Sequence, residues 1–236
     1  MTNWTARLAV ISGGLSEESS THRLAQLLCD AVVESAREQG GEVVVQRIDL
    51  RALAHDITTA SLTRFAPPAL ADAYEVLGAA DAVVAVTPTY KASFTGLFKS
   101  FWDATADGVL SGVPVIVGAT GGSTRHSLVT DTALRPLFAY MKALVMPTAV
   151  YASPDDWAGR GLEARASEAA DELTQQLERG LGGADVAVNG SSEARSSKVE
   201  EAPRTSSKSF RTLADTRNRA RDPFVAVPTM EEMLRG

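Results

Sequence analysis

Three clusters of hydroxyl, glycine and aromatic residues stand out, each directly after a run of small or β-branched apolar residues. The first is Ser12-Gly13-Gly14-Leu15-Ser16-Glu17-Glu18-Ser19-Ser20-Thr21-His22-Arg23, after which Leu24, Leu27, Leu28, Ala31 and Val32 recur at helical spacing. The hydroxyls of Ser19, Ser20 and Thr21 therefore gather at a helix amino terminus. There, unpaired N–H groups and the partial positive charge of the helix can hold a phosphate monoester without a lysine. A serine that only caps the helix leaves the same letters, but the density of hydroxyls favours phosphate binding. His22 is a further possible donor, although a surface histidine on a first turn is the commoner case, and Arg23 is read the same way. Glu17 and Glu18 would repel a dianion and are expected on the solvent side. Neither a Gly-x-x-x-x-Gly-Lys-[Ser/Thr] loop nor three-glycine dinucleotide spacing is present, which disfavours both of those phosphate sites.

The second cluster runs from Thr87-Pro88-Thr89-Tyr90-Lys91-Ala92-Ser93-Phe94-Thr95-Gly96 into Leu97-Phe98-Lys99-Ser100-Phe101-Trp102-Asp103. Proline after a buried strand is expected to stop the ladder and to turn the following N–H groups toward a ligand's carbonyl and ring nitrogens, with Tyr90 or Phe94 flanking the ring. Gly96 would allow close approach. Lys99 and Asp103, four apart on one helix, predict an ion pair or a subunit contact rather than catalysis. The third cluster is Gly118-Ala119-Thr120-Gly121-Gly122-Ser123. Its paired glycines fit a simple turn and a ligand's close backbone approach equally well.

The elements that position these clusters follow a βα repeat. Arg7 to Ser12, Glu42 to Ile48, Asp81 to Thr87, Val113 to Ala119 and Val145 to Tyr151 read as strands buried on both faces. Ser19 to Gln39, Pro68 to Ala79, Thr95 to Asp107, His126 to Leu144 and Leu162 to Leu181 read as helices. Right-handed crossovers then give an α/β, flavodoxin-like three-layer sandwich with a five-stranded parallel sheet in the order 2-1-3-4-5. Such sheets bind ligands outside the carboxyl ends of their strands, where all three clusters lie.

Together, Ser-x-x-Ser-Ser-Thr after strand one, Thr-Pro-x-Tyr-x-x-Ser-x-x-Gly-x-x-Lys-x-x-x-Asp after strand three and Gly-Ala-Thr-Gly-Gly-Ser after strand four resemble the NADPH-dependent FMN reductase family. The resemblance spans roughly Leu8 to Trp157. It looks closest to the actinobacterial branch that supplies reduced flavin to luciferase-like monooxygenases. Carried over by residue, it implies that Ser12, Ser19, Ser20 and Thr21 bind the FMN phosphate and that Pro88, Thr89, Tyr90 and Ser93 line the isoalloxazine edge. Thr120, Gly121, Gly122 and Ser123 would close the pyrimidine side, where glycine lets backbone N–H groups approach the charge near N1 and O2 of the reduced ring. It further implies NADPH or NADH as hydride donor, a homodimer or homotetramer, and a separate flavin-dependent monooxygenase as a partner. In the family the helix carrying Phe98, Phe101 and Trp102 often helps form the dimer, so these are expected at an interface or in the core. Arg64, Arg125 and His126 are candidates to meet a 2′-phosphate, against a plain solvated-surface reading. No catalytic proton donor is named, because the two cofactors hold the chemistry.

Composition agrees with a small-ligand protein. The chain has 236 residues, 44% hydrophobic and 22% charged, with a net charge of −6. It lacks the basic face that nucleic acid or an anionic membrane requires. A single cysteine, Cys29, offers neither a disulfide framework nor a zinc site, and Met1 to Arg7 shows no apolar leader, so a cytoplasmic protein is expected. The flavin domain is expected over 1–183, a low-complexity linker over 184–214 and a tail over 215–236. In the tail, Thr229-Met230-Glu231-Glu232 reads as a capping box that starts a short docking helix; a frayed terminus is the alternative. Arg211, Arg217, Arg219 and Arg221, interspersed with acids, read as a solvated face or docking arm. Other readings are an FMN-containing quinone, azo or metal reductase and a non-catalytic flavodoxin-type electron carrier. A short-chain dehydrogenase is weakened because no Tyr-x-x-x-Lys pair follows Tyr90 or Tyr140.

Overall fold

Strands whose side chains are apolar on both faces need cover on both faces, and the βα repeat supplies it. The computed structural model describes residues 4–181. β1 (Trp4–Ser12), β2 (Gly41–Asp49), β3 (Ala82–Tyr90) and β5 (Pro114–Thr120) pair in parallel, with β6 (Leu144–Val145) and β7 (Val150–Ala152) both on the outer side of β5. The order β2-β1-β3-β5-β6 is the flavodoxin-like arrangement. In β3 the alternation is complete: Ala82, Val84 and Val86 face one core, and Val83 and Ala85 face the other.

α1 (Ser20–Glu38) and α6 (Gly161–Leu181) cover the first face. Leu24, Leu28, Val32 and Ala36 form the buried stripe of α1, at the spacing of one helical face. A polar cluster joins the two helices where they touch. The Ser35 hydroxyl donates to Asp171, 136 positions along the chain, and lies 2.8 Å from that of Thr174, while the Gln39 amide donates to both hydroxyls.

α2 (Ala54–Thr63), α3 (Pro68–Gly78), α4 (Gly96–Asp103) and α5 (Arg135–Tyr140) cover the other face. Phe98, Phe101 and Trp102 of α4 are buried there in this chain's own core. Phe98 meets Trp102 and Phe138 edge-on at 5.8 and 6.3 Å between ring centroids. Each fully buried phenylalanine contributes about 2–3 kcal/mol over an exposed one. Lys99 and Asp103 form the i,i+4 ion pair.

Several elements differ from the sequence reading for identifiable reasons. α2 was not expected, because Ala54–Thr63 carries Ile57, Thr58, Thr59 and Thr63 and buries fully only Ile57 and Ala60. Its hydroxyls bond back into the helix instead, Thr58 to the Ala54 carbonyl at 2.9 Å and Ser61 to that of Ile57 at 2.8 Å. β3 does not stop at Pro88. The Val86 carbonyl faces β1, accepting from the Gly13 N–H at 2.8 Å, so Pro88 two residues on faces the same side, past the end of β1. Its missing N–H thus removes no ladder bond, and Pro88 still pairs with Thr120. The strand then turns into a hairpin with β4 (Ser93–Phe94).

The helix expected over His126 to Leu144 is broken into a 3-10 turn (Thr124–His126), a π turn (Thr130–Leu134) and α5. Pro136 cannot donate, and the Arg135 N–H reaches back five residues to the Thr130 carbonyl. α4 ends at Asp103 rather than Asp107. The fifth strand is split because Pro147 interrupts it. Between the two pieces the Thr148 N–H turns to Glu172 at 2.8 Å, and Arg135 binds the Met146 and Pro147 carbonyls. No described helix is long and apolar enough to cross a membrane. The expected linker and tail, with their arginine cluster and capping box, lie outside the described residues.

Candidate functional site

A cleft of about 290 Å³ opens at the carboxyl ends of β1, β3 and β5, walled by the three loops that leave them. In the first loop, the Ser19 side chain accepts the Thr21 N–H at 3.1 Å and caps α1, whose first turn holds no acid. The Ser19 O–H and the exposed Ser20 hydroxyl remain available at the helix amino terminus and line the cleft. Thr21 is buried, and its hydroxyl lies 2.8 Å from that of Thr120. One of the two donates to the other, which leaves the acceptor's own proton free. Gly14 is glycine of necessity, since a Cβ there would overlap the Ser19 side chain.

Ser12 does not line the cleft. It sits beneath the loop at the end of β1, its carbonyl accepting the Leu50 N–H at 3.1 Å and its buried hydroxyl without a partner. The acids divide. Glu17 points outward to Arg51 at 3.3 Å; Glu18 is exposed, as the solvent-side expectation has it, and also lines the cleft mouth. His22 is half-buried with Nε2 4.0 Å from Asp49, and Arg23 stacks 4.3 Å over the Trp157 ring, so both are engaged outside the cleft.

The second loop is a two-residue hairpin in which Lys91 and Ala92 both adopt left-handed backbone, at φ 52° and 65°. That pairing fits the twist of the flanking strands but is unusual without glycine or asparagine. Thr87 braces the loop, accepting the Thr95 N–H at 3.3 Å and donating to the Pro88 carbonyl at 3.0 Å. Pro88, Thr89 and Tyr90 reach the cleft. The Thr89 hydroxyl is closed off from the cleft and has no protein partner, while Tyr90 presents its ring at 54% exposure. Ser93 pairs with Tyr90 in the hairpin and does not line the cleft. Gly96 has open space around it, so close approach does not explain it; Thr95 beside it caps α4 by accepting the Phe98 N–H at 3.3 Å.

In the third loop the two glycines have different roles. The Gly121 N–H already donates to the Ala152 carbonyl at 3.1 Å, and a Cβ at Gly121 would overlap the Tyr151 hydroxyl. Tyr151 in turn donates to the Ser123 carbonyl at 2.6 Å; burial, with the Asp156 charge second, raises its pKa and keeps it a donor. Both glycines line the cleft, but Gly121 is also required by the fold, whereas Gly122 has nothing within 4 Å of an added Cβ. Ser123 accepts the Arg125 N–H at 3.2 Å and lies outside the lining. Beneath this loop, Asp156 is held down to about 2 by the Ser153 hydroxyl and N–H and by Arg165.

A family model described as NADPH-dependent FMN reductase matches residues 6–158. This chain belongs to that family. The NADH-dependent FMN reductase SfnE of Pseudomonas putida is 33% identical over 181 residues, which cover 77% of this chain and 95% of SfnE. An FMN reductase (NADPH) of Pseudomonas aeruginosa is 32% identical over 151 residues, 64% of this chain and 78% of that protein. Among solved structures, an oxidoreductase from Corynebacterium diphtheriae superposes with a TM-score of 0.72 at 42% identity, covering 74% of this chain and 98% of its own.

In this family member the structure brings Ser19, Ser20, Thr21, Pro88, Thr89, Tyr90, Thr120, Gly121 and Gly122 to one cleft and leaves Ser12, Ser93 and Ser123 off its wall. It adds Leu15, Ser16 and Glu18, which the sequence reading did not place there. Ser16 is the first serine of the Ser-x-x-Ser-Ser-Thr motif, whereas the only signal of Leu15 and Glu18 was position, between a strand end and a helix cap. Arg64, Arg125 and His126 do not line the cleft; Arg64 serves as the left-handed C-cap of α2 at φ 61°.

Proposed function

We propose that the protein is an NAD(P)H-dependent FMN reductase that takes FMN into this cleft. The observation that carries the reading is the start of α1, where backbone N–H groups and the Ser19 and Ser20 hydroxyls open on the cleft with no acid in the first turn. The donor set fits FMN. The N–H groups at the start of α1 with the Ser19 and Ser20 hydroxyls suit a phosphate, and the free proton of the Thr21–Thr120 pair adds one more donor. Tyr90 and Leu15 offer apolar walls to the ring, and Gly122 leaves room for its pyrimidine side. FMN would supply the two-electron acceptor for a nicotinamide; the chain's residues bind, orient and exclude water around it.

The reduced flavin would then leave for a separate flavin-dependent monooxygenase, as the resemblance to the actinobacterial branch suggests, in a reducing cytoplasm that suits the free, buried Cys29. Phe98, Phe101 and Trp102 are spent on the internal core. A second copy in a homodimer or homotetramer would instead cover exposed apolar residues such as Leu128 and Tyr140.

The test is oxidation of NADPH and NADH followed at 340 nm with FMN, FAD or riboflavin as acceptor. Turnover that saturates with FMN is the expected result. A rate indifferent to any flavin would overturn the reading.

A further inference from the structure

Among the described residues that line the cleft, Glu18 is the only charged one, and it stands next to Ser19 and Ser20 in the chain. Among the described residues it has neither an ion-pair nor a hydrogen-bond partner, whereas neighbouring Glu17 is paired with Arg51. The nearby basic side chains do not compensate. Arg51 is held outward by Glu17, Arg23 lies over Trp157, and His22 faces Asp49. A ligand phosphate at this helix terminus would therefore meet N–H groups and hydroxyls and, two positions before Ser20, an exposed and unpaired carboxylate at the cleft mouth.

We propose that Glu18 is a specificity-determining residue that weakens retention of the flavin's phosphate, so that the cleft exchanges FMN readily and prefers it only modestly over the dephosphorylated flavin. The inference rests on the FMN reading of the cleft. Its physical basis is like-charge repulsion at a solvent-open mouth. Salt screens such repulsion, and it acts on FMN but not on riboflavin, which carries the same ring and ribityl chain without the phosphate. The helix terminus still favours an anion, so the two effects oppose each other and set an intermediate affinity.

The experiment is a fluorescence titration of the full chain with FMN and with riboflavin, for wild type, Glu18→Gln and Glu18→Lys, at low and high salt. The expected result is an FMN Kd lowered about three- to tenfold by Glu18→Gln and further by Glu18→Lys, with riboflavin unchanged within about twofold and the gain shrinking at high salt. An FMN-to-riboflavin ratio that stays constant across the series, or both flavins shifting together, overturns the inference. If wild type also oxidises NAD(P)H with FMN, the reductase reading survives that result. A wild-type chain that binds neither flavin overturns both.

Discussion

The hydroxyl oxygens of Thr21 and Thr120 lie 2.8 Å apart although 99 positions separate them in the chain. This contact ties the start of α1 to the end of β5 and holds two walls of the cleft at a fixed spacing. Replacing either threonine by valine leaves a buried hydroxyl without its partner. We expect Thr21→Val or Thr120→Val to lose about 1–2 kcal/mol in urea unfolding and to weaken FMN binding. The double variant should recover part of the stability but not the binding, a coupling that a double-mutant cycle measures directly.

Thr89 should behave in the opposite way. Its hydroxyl has no protein partner, so Thr89→Val removes a buried unsatisfied group and should leave the flavin-free protein as stable as wild type or more so. Because that hydroxyl is closed off from the cleft as well, flavin affinity should stay within about twofold of wild type, as judged by titration with FMN and riboflavin alike.

The paired glycines of the third loop should separate cleanly. Gly121→Ala drives a methyl into the Tyr151 hydroxyl and is expected to cost about 1–3 kcal/mol, visible as a lower Tm, with partial rescue by Tyr151→Phe. Gly122→Ala meets nothing in the protein and should leave Tm unchanged while raising KM for FMN.

Acid should act through Asp156. Its carboxyl sits at about 2 in the folded protein against an ordinary 3.8, held by Ser153 first and Arg165 after it. A pKa depressed on folding gives stability that is present above the ordinary value and lost as pH falls from about 4 to about 2, here on the order of 2 kcal/mol. Asp156→Asn should therefore be less stable than wild type near neutrality and approach it in acid, as followed by denaturant unfolding across that range.

The parallel sheet was legible because β1, β3 and β5 are near-continuous apolar runs, a pattern that only two-sided burial explains. The first loop was legible because hydroxyls bunch ahead of an apolar helical stripe. The failures share a cause, which is that they depend on where a third element stands. Nothing in Ser123 or Ser93 reveals that each is turned to local pairing, and nothing in Gly121, which does line the cleft, reveals that Tyr151, 30 positions later by sequence number, fills the space a side chain would need. Glu18 differs from Glu17 only in which way the turn carries it. α2 was hidden because its threonines satisfy the helix from within, a bond that apolar periodicity does not record.

The pairing of α1 with α6 also bears on how the chain is made. The apolar stripe of α1 is complete once Glu38 has been synthesised, but the helix that shares its face of the sheet begins only at Gly161. A nascent chain must therefore carry Leu24, Leu28 and Val32 without that cover through most of its translation, with the hydroxyl of Ser35 waiting for Asp171 and Thr174. Ribosome-stalled chains ending near position 160 should thus be the ones that chaperones recognise, and release of α6 from the exit tunnel should be the step that ends their exposure.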